Sequence, residues 1–175
     1  MEETLIKRIL PHSIEAEQSV IGSMIMNKDA IVTASEIITG NDFYQQQYGI
    51  VFETMVELIN EGKPVDLITL QDRLKEKDLP PEISSMEFVA ELVASVPTSV
   101  NVKYYAEIVS EKAMLRRLIK TTEEITNTCY LGKERTQDIM EETEKKIFDL
   151  VQKKNGGDFV PIKQVVLNAI EKIEK

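Results

Sequence analysis

The chain has no tryptophan, one cysteine and one histidine among its 175 residues, and each scarcity removes a class of chemistry. A lone Cys129 excludes an internal disulfide and any multi-cysteine zinc site, and it fits a reducing compartment. A lone His12 excludes a histidine-rich metal site. Aromatic residues make up 6% of the chain, so Ile, Leu, Val and Met must build the core. The seven glycines stand at 22, 40, 49, 62, 132, 156 and 157. A phosphate cradle of the form G-x-x-x-x-G-K-[ST] needs a glycine five residues ahead of its Gly-Lys pair. Gly62-Lys63 and Gly132-Lys133 both lack one, so this route to ATP hydrolysis is closed.

No apolar run approaches the roughly 18 residues that a membrane span requires. The opening MEETLIKRIL is too short and too charged for a secretory signal, so a cytoplasmic location without a membrane partner is expected. Lys and Arg number 21 against 30 Asp and Glu, a net charge of −9. Binding to nucleic-acid backbone rests on clustered Lys and Arg, so the balance argues for protein partners instead.

Helical periodicity dominates, no segment alternates as a strand would, and neither internal repeats nor low-complexity stretches occur. The expected fold class is all-α. Ser13 is a candidate N-cap, with Glu15 and Glu17 in the first turn and Ile14, Ala16, Val20, Ile21, Met24 and Ile25 on the apolar side. Further helices are expected near 29–38 and 46–60, the latter stopped by Gly62 and Pro64. Asp66 should cap a helix running to about Lys77; Pro80-Pro81 breaks it, and Ser84 with Glu87 forms the capping box of a short helix.

Beyond Pro97 the pattern changes. Residues 99–130 contain no Pro or Gly, which allows one helix of roughly 45 Å. Tyr104, Ile108, Leu115, Leu118, Ile125 and Cys129 fall near a 3.5-residue seam along it. Gly132 should end this helix and Thr136 begin another, with Ile139, Thr143, Ile147 and Leu150 at the same spacing. Glu141–Lys145 and Glu142–Lys146 would support the second helix as i,i+4 pairs. Two such helices on a short loop make an antiparallel hairpin with one apolar face too many, which should pack on another copy of itself. Asn155-Gly156-Gly157-Asp158 reads as a flexible linker. Pro161 opens a last amphipathic segment with Ile162, Val165, Val166, Ala169, Ile170 and Ile173 on one stripe. The expected division is a head at 1–97, a hairpin at 98–154 and a linker with the start of a helix at 155–175.

Few residues invite catalysis. An acid–base site would need His12 with Glu15 or Glu17; the plainer reading leaves His12 exposed beside Pro11. Glu17 stands among apolar neighbours, so it should be hydrogen-bonded to backbone donors or a nearby base. Cys129 has no basic residue in its own turn and is expected to pack as a small apolar side chain. Lys112, Arg116, Arg117 and Lys120 form a basic face that could be merely solvated, could dock a partner or neighbouring subunit, or could touch DNA. Phe88 could be core or docking surface.

Four runs together carry a specific resemblance: PHSIEAEQSVIGSMI at 11–25, NDFY at 41–44, GKPVDLITL at 62–70 and SVPTSVNVKYYAEIVSEKAMLRRLI at 95–119. In that order and spacing, with DFVPIK at 158–163, the chain resembles the amino-terminal domain and linker of the bacterial replicative DNA helicase, the DnaB family. The resemblance covers nearly all of the chain. It implies that the ATP-driven motor domain is missing and that the chain is a truncated scaffold with no catalytic site, cofactor or metal of its own. ATP and Mg2+ would belong to the full-length enzyme, which unwinds duplex DNA 5′–3′ at the replication fork.

In that family the hairpins pair into dimers, and three dimers build the collar of a hexameric ring that recruits primase. The implied subunit interface takes Tyr104, Ile108, Leu115, Leu118, Ile139 and Ile147. The implied primase contacts are Phe88, Arg116, Ile119 and Ile125. The linker helix, through Ile162, Val166, Ile170 and Ile173, would dock on the motor of the adjacent subunit. A helicase loader is a further implied partner, and single-stranded DNA would be met mainly through the absent motor. Two rivals remain: a stand-alone helical adaptor of the replication machinery without a motor, and a small helical nucleic-acid-binding module.

Overall fold

The computed structural model describes residues 8–96, 101–155 and 162–173. The break expected at Pro97, the linker at Gly156-Gly157-Asp158 and the helix start at Pro161 lie outside the described residues. Among the described residues every element is helical and none is a strand, which bears out the all-α expectation. The chain divides into two compact units, residues 1–120 and 121–175.

In the first unit, α1 (Ile14–Met26) begins at Ser13, whose Oγ accepts the Ala16 N–H at 3.2 Å. Helices α2 (Lys28–Ile37) and α3 (Gln46–Asn60) flank a 3-10 turn at Gly40–Asp42. Gly62, at φ +72°, adopts the left-handed conformation that follows the end of α3. Asp66 caps α4 (Leu67–Glu76) by accepting the Ile68 and Thr69 N–H groups, both at 2.9 Å.

The next boundary differs from expectation. Pro81 opens a one-turn helix of its own, α5 (Pro81–Ser84), so Ser84 sits at that turn's end with its Oγ on the Pro80 carbonyl. Ser85 is the true cap of α6 (Met86–Ala94), accepting the Phe88 N–H at 3.2 Å.

Helix α1 packs against α2, α3 and α6, and α4 packs against α3, α5 and α6. Val20, Ile21 and Met24 of α1 meet Val51, Phe52, Met55 and Leu58 of α3, with Leu70, Leu74, Val89 and Leu92 closing the core. Each such side chain, fully buried, contributes about 1.5–3 kcal/mol. The core is aliphatic around Phe52 and Phe43, as the lack of Trp requires.

Helix α7 spans Val102–Leu131. Its first half belongs to the head core: Ala106 and Val109 join the core cluster, and Ala113 is buried as well. Gly132 ends it at φ +61°, and α8 (Thr136–Asn155) and α9 (Ile162–Ile173) follow. Within the second unit Lys146 reaches Glu124 of α7 at 3.7 Å and Glu142 at 3.4 Å.

Candidate functional site

At ~100° per residue, Ala106, Val109 and Ala113 define one stripe of α7, and Arg116 and Arg117 extend it by a turn. The head-facing stripe therefore ends in two guanidinium groups. Arg116 donates from Nη1 to the Pro11 carbonyl at 2.7 Å and from Nη2 to the Asp42 carbonyl at 2.6 Å. Its charge also lies 5.7 Å from the ring centroid of Tyr44. Arg117 forms an ion pair with the Asp42 carboxylate, whose other oxygen accepts the Thr39 N–H at 2.8 Å. A solvated basic face is thus the wrong description for these two arginines: the head uses them as donors. Periodicity alone cannot reveal this, because two of their acceptors are backbone carbonyls far away in sequence.

Glu17 completes the cluster. It is 2% exposed, and Oε1 accepts the Gln45 N–H at 3.0 Å. Burial pushes its carboxyl above the ordinary 4.5, against the lowering effects of the Gln45 N–H, the Arg116 charge, the Tyr44 N–H and His12. Burial likewise pulls the Arg116 guanidinium down, opposed by Glu17. The structural hydrogen bond expected of Glu17 is present. His12 is half-buried rather than exposed. Its ring stacks on Tyr44 with centroids 4.1 Å apart, and Nδ1 lies 2.6 Å from the Leu10 carbonyl, so Nδ1 carries the proton. Both carboxylate and imidazole are committed to holding the fold.

The subunit-interface candidates lie away from the head-facing stripe. Tyr104, Leu115 and Leu118 fall near the other side of α7 and are exposed, while Ile108 is half-buried against the head core. On α8, Ile139 and Ile147 are half-buried. Among the primase candidates, Phe88 is half-buried and stacked on Tyr48, centroids 6.2 Å apart. Ile119 and Ile125 are half-buried. Val166, Ile170 and Ile173 of α9 are exposed, and the side chain of Ile162 lies outside the described residues.

The second unit has an unusual economy. After Ala113 no described residue is buried. Tyr130, Leu131, Met140, Phe148 and Val151 are exposed, Tyr130 at 87%. Cys129, expected to pack as a small apolar side chain, is exposed instead. Among the described residues no three His, Cys, Asp or Glu side chains gather to hold a metal ion, and no helix is long and apolar enough to cross a membrane.

Fold and surface together define a class: an all-α domain in which a small bundle is continued by one long helix and a second unit rich in exposed apolar side chains. Comparison with known proteins gives that class its family. The chain belongs to the DnaB-like helicase N terminal domain family, whose model matches residues 9–111. It is 37% identical over 175 residues to the replicative DNA helicase DnaC of Bacillus subtilis, covering 100% of this chain and 38% of that protein. It superposes on the N-terminal domain of DnaB helicase from Mycobacterium tuberculosis with a TM-score of 0.76 at 32% identity, covering 81% of this chain and 99% of that one. The N-terminal domain of DnaB helicase from Helicobacter pylori, solved in a study of its interactions with primase, shares the fold with a TM-score of 0.59 at 21% identity over 66% of this chain and 90% of that one. The chain spans about 38% of the length of its curated relatives from Bacillus subtilis and Geobacillus stearothermophilus.

Proposed function

We propose that this chain is the amino-terminal scaffold of a hexameric replicative DNA helicase, forming the collar of the ring and docking primase. The observation that carries the reading is the second unit's exposed apolar surface. Tyr130, Leu131, Met140, Phe148 and Val151 on two adjoining helices exceed what a single copy covers, and a second copy of the same hairpin supplies a matching surface. Dimers formed through Tyr104, Ile108, Leu115, Leu118, Ile139 and Ile147 would then assemble in threes. The whole protein would unwind duplex DNA 5′–3′ with ATP and Mg2+. The seven glycines here build no phosphate cradle; ATP, Mg2+ and the main contact with single-stranded DNA would belong to a motor domain outside this span. The work is cytoplasmic, at the replication fork, with a loader as a further partner.

Primase docking would take Phe88, Arg116, Ile119 and Ile125 as candidate contacts. The α9 side chains Val166, Ile170 and Ile173, with Ile162, would dock on the motor of a neighbouring subunit. Sedimentation of Leu118→Asp and Ile147→Asp variants tests the scaffold. A buried unpaired carboxylate in a helix seam is strongly unfavourable, so each variant should be folded by circular dichroism and monomeric. Variants that remain dimeric would sink the interface. Titration of a labelled primase carboxy-terminal domain against Phe88→Ala, Ile119→Ala and Ile125→Ala tests docking; central contacts lose about 5- to 30-fold in affinity.

A further inference from the structure

We propose that Tyr48 is a positioning residue for primase docking: its ring, stacked on Phe88, sets the orientation in which Phe88 meets the partner. The inference rests on Phe88 being a docking contact, and it fails on different results from that reading.

Three observations carry it. First, the two rings lie 6.2 Å apart between centroids and 16° from parallel, within the range at which offset aromatic pairs attract. Phe88 is half-buried, so Tyr48 covers part of the ring and a partner meets what is left. Second, Tyr48 cannot turn away. It is 7% exposed in the first turn of α3, its N–H donates to the Gln45 carbonyl at 3.0 Å, and its hydroxyl accepts from Gln18 Nε2 at 3.0 Å. The ring is therefore tied to α1 and α3 at once. Third, the backbone under Phe88 is already fixed. Ser85 Oγ accepts its N–H at 3.2 Å, and the buried Val89 and Leu92 anchor α6 in the core. What remains to be set at residue 88 is the rotation of its side chain, and stacking on Tyr48 restricts it. A contact oriented before the partner arrives loses less side-chain freedom on binding. Tyr48, itself buried, thus contributes to affinity through Phe88.

A double-mutant cycle tests it. A labelled primase carboxy-terminal domain is titrated against the 175-residue chain as wild type, Tyr48→Leu, Phe88→Ala and the double variant, each checked for folding by circular dichroism. Tyr48→Leu should weaken binding by roughly 3- to 10-fold. On the Phe88→Ala background the same substitution should change affinity by less than about 2-fold, because no ring is left to orient. Tyr48→Phe, which keeps the stack, should bind within about 2-fold of wild type. A merely structural role for Tyr48 would weaken binding by the same factor in both backgrounds, and that result overturns the proposal. Wild-type affinity in Tyr48→Leu, with Phe88→Ala weakened, overturns it too and leaves Phe88 as a contact. Wild-type affinity in Phe88→Ala would instead remove Phe88 as a contact, and the inference with it. Should Tyr48→Leu fail to fold, Tyr48→Met fills the space with a flexible side chain and is read in the same cycle by the same criteria.

Discussion

Gly49 of α3 lies so close to Gly40 that a Cβ on Gly49 would stand 2.3 Å from the Gly40 carbonyl oxygen. The neighbour is backbone, and it is fixed further by the Gly40 N–H, which donates to Glu53 Oε1 at 2.6 Å. In an exposed helix Gly→Ala would stabilise by up to about 1 kcal/mol. Here the helix gain is outweighed, because the 3-10 turn must move. Gly49→Ala should lower stability by a net ~1–2 kcal/mol, read by urea denaturation. A stabilised variant would mean that the turn shifts freely.

Glu17 gives the head an unusual pH response. Its folded-state pKa lies above the ordinary 4.5. Between those two values the folded state binds more protons than the unfolded one, so this residue's contribution grows as pH falls and is lost as pH rises. Glu17→Gln keeps an oxygen for the Gln45 N–H and removes the titration. The stability difference between Glu17→Gln and wild type should therefore increase with pH above 4.5 and flatten below it, followed by denaturation at a series of pH values. A difference that is constant with pH would show Glu17 to be fully compensated.

Glu61 behaves in the opposite sense. Arg73 holds it through two bonds of 2.9 and 2.6 Å, and Lys63 adds a contact at 3.0 Å. Together they keep its carboxyl at about 2. Its stabilisation is present above the ordinary 4.5 and disappears as pH falls toward 2. In Arg73→Met the carboxyl should titrate well above 2, toward 4.5, by side-chain NMR. A titration that stays near 2 would place the cause elsewhere.

The two neighbouring serines ahead of α6 should behave differently. Ser85→Ala removes the cap of the Phe88 N–H and should destabilise by about 1 kcal/mol. Ser84→Ala, which removes only a bond to the Pro80 carbonyl, should stay within about 0.5 kcal/mol. Thermal melts of the pair decide between the two caps.

These serines also mark how much of the fold local sequence expresses. The limits of α3 at 46 and 60, the Ser13 and Asp66 caps and the end of α7 at Gly132 follow from spacing, turn chemistry and apolar period. Ser84-x-x-Glu87 fits the capping-box pattern equally well, but Pro81 draws Ser84 into a preceding turn, and only three-dimensional context chooses Ser85. The arginine cluster lies further from what a sequence can show. Arg116 finds its acceptors 105 and 74 residues away, and both are carbonyls whose positions depend on the packed head. Glu17 was legible because a carboxylate inside an apolar arc demands partners, although the pattern does not name Gln45. The buried stripe of α7 was obscured by small residues: Ala106 and Ala113 give a weaker apolar signal than the exposed Tyr104, Leu115 and Leu118.

The second unit, in which no described side chain is buried, has a calorimetric consequence. Heat capacity on unfolding comes chiefly from apolar surface newly exposed to water. The helices of residues 121–175 already expose much of theirs as a single copy, so melting them in that state should add little to the heat capacity and little to the cooperativity of the transition. Pairing with a second copy would restore both, and it would make the transition temperature depend on protein concentration. Dilution alone would then soften one end of the chain while leaving the head intact, which makes local helix order a gauge of how many copies have met.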